Sequence, residues 1–305
     1  DMTPCIACLQ GCVANMYAGN PVCCLTNPFL GHEAEPLEKA EEPKKVMVIG
    51  GGVAGLSAAF IAKERGHEVT LYEAGDVLGG NMRLAAYPPG KGDITNMIRS
   101  YIHRCQKDGV KIVMNCEVTP ELIKEEKPDS VIIATGSKTL ILPIEGIDNP
   151  AIIHGSDLLD GKRAVGKKVL VVGGGMVGCE TAAFLGEQEH DVTVIEFRDT
   201  VGADVIHEHR VYLMKDFEDY GIKEITGAKV CKFYEDGVEY ETADGVRHES
   251  RGYDSVILSM GFRNYNPLEE KIKDLVPETH VIGDAIRARR ALDATKEAYE
   301  VASRI

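Results

Sequence analysis

Short apolar runs alternate with helical patterns along most of this 305-residue chain. Val46–Ile49 is continuously apolar, which is typical of a strand buried on both faces of a parallel sheet. A helical pattern follows over Leu56–Arg65, Gly66 ends it, and Val69–Tyr72 forms a second apolar run. This order of strand, helix and strand predicts a βαβ unit with parallel strands.

The same order recurs in the second half of the chain, where Lys167–Val172 and Val192–Ile195 are the predicted strands. Two such units predict an α/β fold with parallel sheets. The remaining predicted strands are Lys111–Met114, Val131–Ile133, a Val- and Tyr-rich stretch at 229–241, Ser255–Leu258 and His280–Ile282, and the remaining predicted helices are Ile94–Asp108, His207–Tyr220 and Ala291–Ile305.

A glycine-rich turn joins strand to helix in both units, and both turns read Gly-x-Gly-x-x-Gly. In a dinucleotide-binding unit the first glycine permits the tight turn, and the second lets backbone amides approach a pyrophosphate. The third glycine lets the helix pack closely on the strand. The helix N-terminus carries about half a positive charge, which suits a pyrophosphate. The glycines concerned are Gly50, Gly52, Gly55, Gly173, Gly175 and Gly178.

A glutamate ends the second strand of each unit. Glu73 lies 23 positions after Gly50, and Glu196 lies 23 positions after Gly173. A carboxylate at this point can accept hydrogen bonds from ribose hydroxyls. The alternative is two unrelated glycine-rich turns in an ordinary α/β protein. The repeated context of strand, helix, strand and acid favours an α/β fold with two Rossmann-like dinucleotide-binding domains.

Composition and charge narrow the function further. The chain is 44% hydrophobic and 27% charged, with a net charge of −14, and it has no basic face suited to nucleic acid. No apolar run approaches the roughly 18 residues of a membrane span, and no signal-peptide pattern is visible, so we expect a cytoplasmic protein. Because Asp1 precedes Met2 and a motif begins at residue 5, we expect a piece of a longer polypeptide, the alternatives being a trimmed or disordered start.

Residues 1–32 hold five of the nine cysteines. Cys5, Cys8 and Cys12 follow a C-x2-C-x3-C spacing, and eleven residues separate Cys12 from Cys24. Four thiolates suit an iron–sulfur cluster or a tetrahedral zinc ion, and the spacing alone favours the cluster because the second C-x2-C knuckle of a zinc ribbon is absent. A disulfide framework is disfavoured in a chain with no export signal.

Beyond the two glycine-rich motifs, a third feature marks a family resemblance. Ala134-Thr135-Gly136 follows one strand, 259–261 echoes it, and Gly283-Asp284 comes between a late strand and the last helix, which Asp284 is expected to open. The chain thereby resembles the flavoprotein reductases with two dinucleotide-binding domains. The resemblance implies an FAD-binding domain at 44–150 and 260–305, an inserted NAD(P)H-binding domain at 151–259, an iron–sulfur segment at 1–32 and a linker at 33–43.

The cysteine segment sharpens this resemblance. Pro4–Cys8, Cys12 and Cys24–Pro28 are similar to the [4Fe–4S] segment of the 2,4-dienoyl-CoA reductase, 2-enoate reductase and trimethylamine dehydrogenase group, the long members of the old yellow enzyme family. Leu78–Ala86 and Pro88–Lys91 also resemble that group. The family's spacing selects Cys24 over Cys23 as the fourth ligand. The family's N-terminal TIM barrel with its FMN is missing, so the resemblance implies the electron-input half of such an enzyme.

The resemblance also implies roles for single residues. Around FAD, the first three glycines would hold the pyrophosphate, Glu73 the adenosine ribose, Gly79 and Gly80 the ribityl chain, and Asp284 a ribityl hydroxyl. The second three glycines and Glu196 would hold the nicotinamide dinucleotide. The remaining cofactor-binding candidates are Ala54, Arg83, Ala134, Thr135, Gly136, Val177, Gly261 and Gly283. No side chain of this half is assigned an acid or base role.

Several of these roles have alternatives. Glu196 favours NADH because a carboxylate repels a 2′-phosphate, although Arg198 could receive one. The first site could hold ADP in place of FAD, as in the trimethylamine dehydrogenase branch, which would make the chain a structural nucleotide-binding half. A small reductase subunit of a glutamate-synthase-like complex is a further alternative, although such subunits usually carry two cysteine quartets. The substrate, expected to contain an activated C=C bond, would bind to the missing barrel.

Overall fold

The computed structural model describes residues 2–305, so Asp1, the first residue of the predicted iron–sulfur segment, lies outside the described residues. Helices and strands alternate along the chain. The helices are α1 (Val13–Tyr17), α2 (Val53–Glu64), α3 (Asn81–Leu84), α4 (Ile94–Lys107), α5 (Pro120–Glu126), α6 (Gly155–Leu159), α7 (Met176–Glu187), α8 (His207–Asp219), α9 (Glu269–Ile272) and α10 (Ala291–Ala302). The strands are β1 (Lys45–Ile49), β2 (Glu68–Tyr72), β3 (Lys111–Val113), β4 (Ser130–Ile133), β5 (Ser137–Thr139), β6 (Ile152–His154), β7 (Lys168–Val172), β8 (Asp191–Ile195), β9 (Lys223–Ile225), β10 (Lys229–Tyr234), β11 (Gly237–Glu241), β12 (Arg247–Ser250), β13 (Ser255–Leu258), β14 (Phe262–Asn264) and β15 (Glu278–Val281).

The chain folds into two compact units, and the second interrupts the first. The first comprises the residues up to Ala86, Gly92–Lys138 and Arg263–Ile305, and the second comprises Tyr87–Lys91 and Thr139–Phe262. The main part of the second unit begins at Thr139, before the boundary predicted at residue 151, because the loop before β6 packs with it. Ile144 and Ile147 of that loop lie against the core around β7 and β10.

A five-stranded parallel sheet forms the centre of the first unit, in the order β15-β4-β1-β2-β3. The chain leaves β1 toward β2 on one side and later returns to β4 on the other. This reversal of direction opens a crevice at the carboxyl end of β1, which is where open α/β sheets bind ligands. Gly50 begins the turn at that point.

The second unit repeats this arrangement with a parallel sheet in the order β6-β13-β7-β8-β9. Here β7 lies between β8 and β13, so the carboxyl end of β7 is the corresponding crevice. A three-stranded antiparallel sheet of β10, β11 and β12 is added to this unit. Both parallel sheets confirm the predicted α/β, Rossmann-like fold class.

Buried residues on both sides of the first glycine-rich turn hold it in place. Every residue of α2 from Val53 to Ala62 is buried, because the sheet covers one side of the helix while α4 and α10 pack on the others. Strands β1 and β4 carry fully buried Val48, Ile132 and Ile133. Each such side chain contributes about 1.5–3 kcal/mol when it leaves water. The turn between β1 and α2 is thus held at both ends by core residues.

The cysteine segment packs on the first unit and has only one short helix, α1. Leu25 is fully buried and Ile6 is 8% exposed, and both join the core formed by α2 and α4. The Tyr101 hydroxyl of α4 donates to the carbonyl oxygens of Leu25 and Thr26 at 3.0 and 3.2 Å. The segment is therefore anchored at its two ends, at residues 6 and 25.

Most predicted elements agree with the structure to within three residues at each end. One expectation is wrong, because Asp284 does not open the last helix. Gly283–Ala285 form a short 3-10 turn, and α10 begins only at Ala291 behind an Arg290–Asp293 capping box. Within residues 2–305, no helix combines the length and apolar character that crossing a membrane requires.

Candidate functional site: two glycine-rich turns and a cysteine segment

Two of the three glycines of the first turn are required by close packing, and the third is not. A Cβ on Gly55 would lie 1.9 Å from the Gly50 carbonyl oxygen, and a Cβ on Gly50 would lie 2.3 Å from the Ala134 carbonyl oxygen. Gly50 also has a φ of +108°, which disfavours any other residue. Both glycines are therefore required by the close packing of strand β1, helix α2 and the end of β4.

Gly52 differs from its two neighbours in the motif. Its φ of −72° suits any residue, and within the described chain no atom lies within 4 Å of a Cβ built there. Packing thus gives no reason for a glycine at this position. An open backbone at the N-terminus of α2 is the surface that a phosphate group needs in order to reach the amides closely.

The Glu73 carboxylate lies beside this turn. Its Oε2 accepts from the Gly51 amide and its Oε1 accepts from the Gly75 amide, both at 2.7 Å. An ionised carboxylate has about four lone-pair positions, so two further donors such as ribose hydroxyls can still be accepted. The structure places Glu73 directly after β2 and next to the glycine-rich turn.

A chain of hydrogen bonds links α3, β5 and the 3-10 turn of the first unit. The Ser137 hydroxyl donates to Asp284 Oδ2 at 2.9 Å, and the Asn81 side-chain amide donates to the Ser137 hydroxyl at 3.4 Å. Asp284 Oδ1 also accepts from the Arg289 amide at 3.0 Å. Sequence reasoning missed Asn81 and Ser137, although each lies next to a predicted residue, Asn81 after Gly80 and Ser137 after Gly136.

Other predicted residues of the first unit gather around the same crevice. A Cβ on Gly283 would lie 3.1 Å from the Ala54 Cβ, so the 3-10 turn meets the start of α2. A Cβ on Gly80 would lie 3.2 Å from the Gly52 Cα, and Gly79 donates its amide to the Gly51 carbonyl at 2.8 Å. The Thr135 hydroxyl donates to the Tyr265 carbonyl. Arg83 is half-buried in α3, and Gly136 has a φ of +73°.

The second unit reproduces the packing of the first. A Cβ on Gly178 would lie 1.8 Å from the Gly173 carbonyl oxygen, and a Cβ on Gly173 would lie 2.3 Å from the Ser259 carbonyl oxygen. Glu196 repeats Glu73, since it accepts from the Gly174 amide at 2.5 Å and from the Arg198 amide at 2.9 Å. Val177 lies half-buried in the first turn of α7. Gly261 has a φ of +100° and accepts from the Leu140 amide through its carbonyl.

Two further acids of the second unit were not predicted from the sequence. Asp204 Oδ1 accepts from the Met176 amide at 2.8 Å, at the first residue of α7. Glu180, on the same helix, forms an ion pair with Lys91 and its side chain is 10% exposed. Burial raises the pKa of Glu180, and the positive charge of Lys91 opposes this effect. The sequence signal for Glu180 was its place just after the glycine motif.

The four cysteines predicted as ligands lie in one segment of the first unit. Burial raises the pKa of the Cys8 thiol, and the negative charges of Cys24, Cys12 and Cys5 add to that effect. The Ala7 amide donates to Cys5 Sγ at 3.4 Å, while the fifth cysteine, Cys23, accepts from Asn15 Nδ2 at 3.4 Å. Among residues 2–305, however, no three or more His, Cys, Asp or Glu side chains are arranged closely enough to hold a metal ion.

Four cysteines lie outside this segment, namely Cys105, Cys116, Cys179 and Cys231. All nine cysteines of the chain are free of disulfide bonds. Burial raises the pKa values of Cys105 and Cys179 to about 12. Such thiols stay protonated at neutral pH and behave as small apolar groups.

Known proteins resemble the chain over nearly its whole length. It is 35% identical over 306 residues to the cinnamate reductase of Clostridium sporogenes, a match that covers 99% of this chain and 45% of that protein. It is 33% identical to the NADH oxidase of Thermoanaerobacter brockii, covering 100% of this chain and 48% of the relative. The chain thus spans about half the length of the curated relatives that it matches.

Solved structures also resemble the chain over nearly its whole length. A complex of 2-naphthoyl-CoA reductase with 2-naphthoyl-CoA superposes with a TM-score of 0.93 at 33% identity, covering 99% of this chain and 46% of that one. Residues 44–282 match the family described as pyridine nucleotide-disulphide oxidoreductase, so the match includes both glycine-rich turns and both glutamates. The chain therefore belongs to the pyridine nucleotide-disulphide oxidoreductase family of oxidoreductases, in which FAD and NAD(P)H are the typical cofactors.

Proposed function

We propose that this chain is the electron-input half of an NADH:flavin oxidoreductase. The first unit would be the FAD-binding domain, the second unit the NADH-binding domain, and the cysteine segment the site of a [4Fe–4S] cluster. When bound, these groups would carry a hydride from NADH to FAD and then single electrons toward an FMN on a TIM barrel outside this chain. The protein supplies binding and orientation, because the cofactors carry the chemistry.

The open backbone at Gly52 is the observation that supports FAD binding most strongly. Neither φ nor packing requires a glycine there, whereas a pyrophosphate does. Ala54 and Gly283 meet at the same helix N-terminus, and Glu73 lies on the side where an adenosine ribose would extend. Asp284, held by Ser137 and the Arg289 amide, is a fixed acceptor for a ribityl hydroxyl.

Substitution of Gly52 tests this assignment. In Gly52→Val the side chain occupies the open surface without straining the backbone, so we expect a folded protein that no longer retains FAD. The control is Gly92→Val, another glycine with an open surround and no left-handed φ. Flavin absorbance and far-ultraviolet circular dichroism are measured for both variants. Retention of FAD by a folded Gly52→Val protein would contradict the proposal.

NADH is the favoured electron donor. Glu196 is fixed by two backbone amides at the end of β8, and its negative charge favours a free 2′-hydroxyl over a 2′-phosphate. The NADH oxidase among the relatives supports the same choice.

A [4Fe–4S] cluster on Cys5, Cys8, Cys12 and Cys24 is the second part of the proposal. The donor set supports it, since one segment supplies four thiols and backbone amides at Ala7 and Gln10 point at the sulfurs of Cys5 and Cys8. Amide hydrogen bonds to sulfur are one of the features that set the potentials of such clusters. Ala7 and Leu9, with φ of +51° and +55°, curl the backbone around Cys8.

Cysteine substitutions test the cluster. We expect Cys→Ser at each of the four positions to remove most of the iron from protein purified without oxygen. Cys23→Ser is the matched control, because Cys23 neighbours Cys24 in the chain but hydrogen-bonds with Asn15. Iron and acid-labile sulfide are measured per chain. Equal iron contents in Cys23→Ser and Cys24→Ser would contradict the assignment of Cys24.

The final reaction would be reduction of an activated C=C bond at the barrel. The cinnamate reductase and the 2-naphthoyl-CoA reductase among the relatives support this substrate class. We further propose that the protein works in the cytoplasm, a compartment that suits nine free cysteines.

A further inference from the structure

One carboxylate distinguishes the second glycine-rich turn from the first. A Cβ built on Gly175 would lie 3.4 Å from Asp204 Oδ2, whereas a Cβ on the equivalent Gly52 meets no described atom within 4 Å. The other oxygen of Asp204 accepts from the Met176 amide at 2.8 Å. The carboxylate therefore covers both the glycine surface and an amide that a pyrophosphate would approach.

The loop that carries Asp204 is fixed beside the turn. The Gly202 amide donates to the Gly174 carbonyl at 2.7 Å, and Val201 is fully buried. Arg210 donates to the Thr200 hydroxyl at 2.8 Å and to the Val201 carbonyl at 3.0 Å. The loop is thus held beside the turn by the fold, and it presents the exposed Asp204 side chain to the Met176 amide.

The first unit makes the same backbone contact with different chemistry. There the Gly79 amide donates to the Gly51 carbonyl at 2.8 Å, in the manner of Gly202 and Gly174. Asn81 lies two residues after Gly79, and its side chain donates to Ser137. Asp204 lies two residues after Gly202, and its side chain accepts from the Met176 amide. The two turns therefore differ in one negative charge at the phosphate surface.

We infer that Asp204 is an affinity-setting residue that keeps the nicotinamide dinucleotide exchangeable. The inference rests on the proposed function of the second unit. A pyrophosphate must displace the carboxylate from the Met176 amide or share the amide with a like charge, which weakens binding and speeds release. The open first turn imposes no such competition, which suits a cofactor that stays bound through many turnovers.

Neutral substitutions at Asp204 test the inference. Asp204→Asn keeps an acceptor oxygen for the Met176 amide, and Asp204→Ser keeps a capping hydroxyl, so both should fold. With ADP-ribose as the probe, we expect binding about tenfold tighter or more, mainly through slower release, and a smaller gain at high salt. Titration calorimetry gives the affinity, stopped-flow fluorescence gives the release rate, and FAD content reports on folding.

Asp199→Asn is the control, since it removes one charge from the same loop at an exposed position five residues earlier. Tighter binding in the Asp204 variants with little change in Asp199→Asn supports the inference. Unchanged or weaker binding of ADP-ribose in the Asp204 variants overturns the inference and leaves the proposed function intact. An equal gain in affinity in Asp199→Asn has the same consequence. If the wild-type protein binds neither ADP-ribose nor NADH, the proposed function fails and the inference with it.

Discussion

Single residues show how the glycines of the first turn differ in their surroundings. Close packing requires Gly50 and Gly55, whereas no described neighbour of Gly52 requires a glycine there, so the motif combines two structural glycines with one that has an open surround. The sequence predicted all three positions but not this division, because spacing does not report what surrounds a Cβ. The same limit hid Asp204, which lies 28 positions from Met176 and meets it only through a loop.

Cofactor preference belongs to the residue scale. In Glu196→Ala we expect the ratio of kcat/KM for NADH over NADPH to fall about tenfold or more, because the variant loses an acceptor for the 2′-hydroxyl and a charge that repels a 2′-phosphate. The companion variant Arg198→Ala should lower kcat/KM for NADPH and leave that for NADH nearly unchanged. Steady-state assays with an artificial electron acceptor provide both constants. An unchanged ratio in Glu196→Ala would refute the role of Glu196.

At the scale of elements, hydrophobic periodicity predicted the parallel sheets well and the loops poorly. Strands such as β1 and β7 are apolar on both faces, so the sequence alone predicts that they are buried. The stretch at 139–150 has no such pattern, and its membership of the second unit depends on Ile144 and Ile147 packing there. Asp284 was misplaced for a related reason, since a strand followed by Gly-Asp does not reveal that residues 286–290 separate the turn from α10.

The anchoring of the cysteine segment is also an element-scale property. Burial raises the pKa of Tyr101 far above its ordinary value, and the charge of Cys24 adds to this effect, so the hydroxyl remains a donor to the carbonyls of Leu25 and Thr26. Cys24 immediately precedes these two residues. The position of the fourth predicted cluster ligand therefore depends on a helix of the first unit.

Tyr101→Phe should loosen this anchor. The variant leaves two carbonyls without their donor, which we expect to lower the free energy of unfolding by about 1–3 kcal/mol and to reduce iron retention while FAD is kept. Tyr17→Phe is the control, because Tyr17 lies in the same segment but is 76% exposed. Chemical denaturation and iron analysis are compared for the two variants. Identical behaviour of both variants would show that the Tyr101 hydroxyl is not an anchor.

At the scale of the whole molecule, the chain contains two compact units with Rossmann-like parallel sheets and matches about half the length of its relatives. The repeated fingerprint predicted two dinucleotide sites, the family resemblance implied an oxidoreductase, and the family match confirms that class. The sequence could not reveal the substrate, because no residue of this chain is assigned to substrate chemistry. That specificity is proposed to lie in a barrel outside the chain.

The central claim is that NADH delivers electrons to a flavin bound in the first unit. The most direct test is an oxygen-free absorption titration of the purified, FAD-loaded chain with NADH. The account predicts that the blue-absorbing flavin band bleaches in proportion to added NADH, above a broad iron–sulfur shoulder when the cluster is present. A flavin that stays oxidised in excess NADH, or a first site that holds only ADP and takes up no FAD, would contradict it.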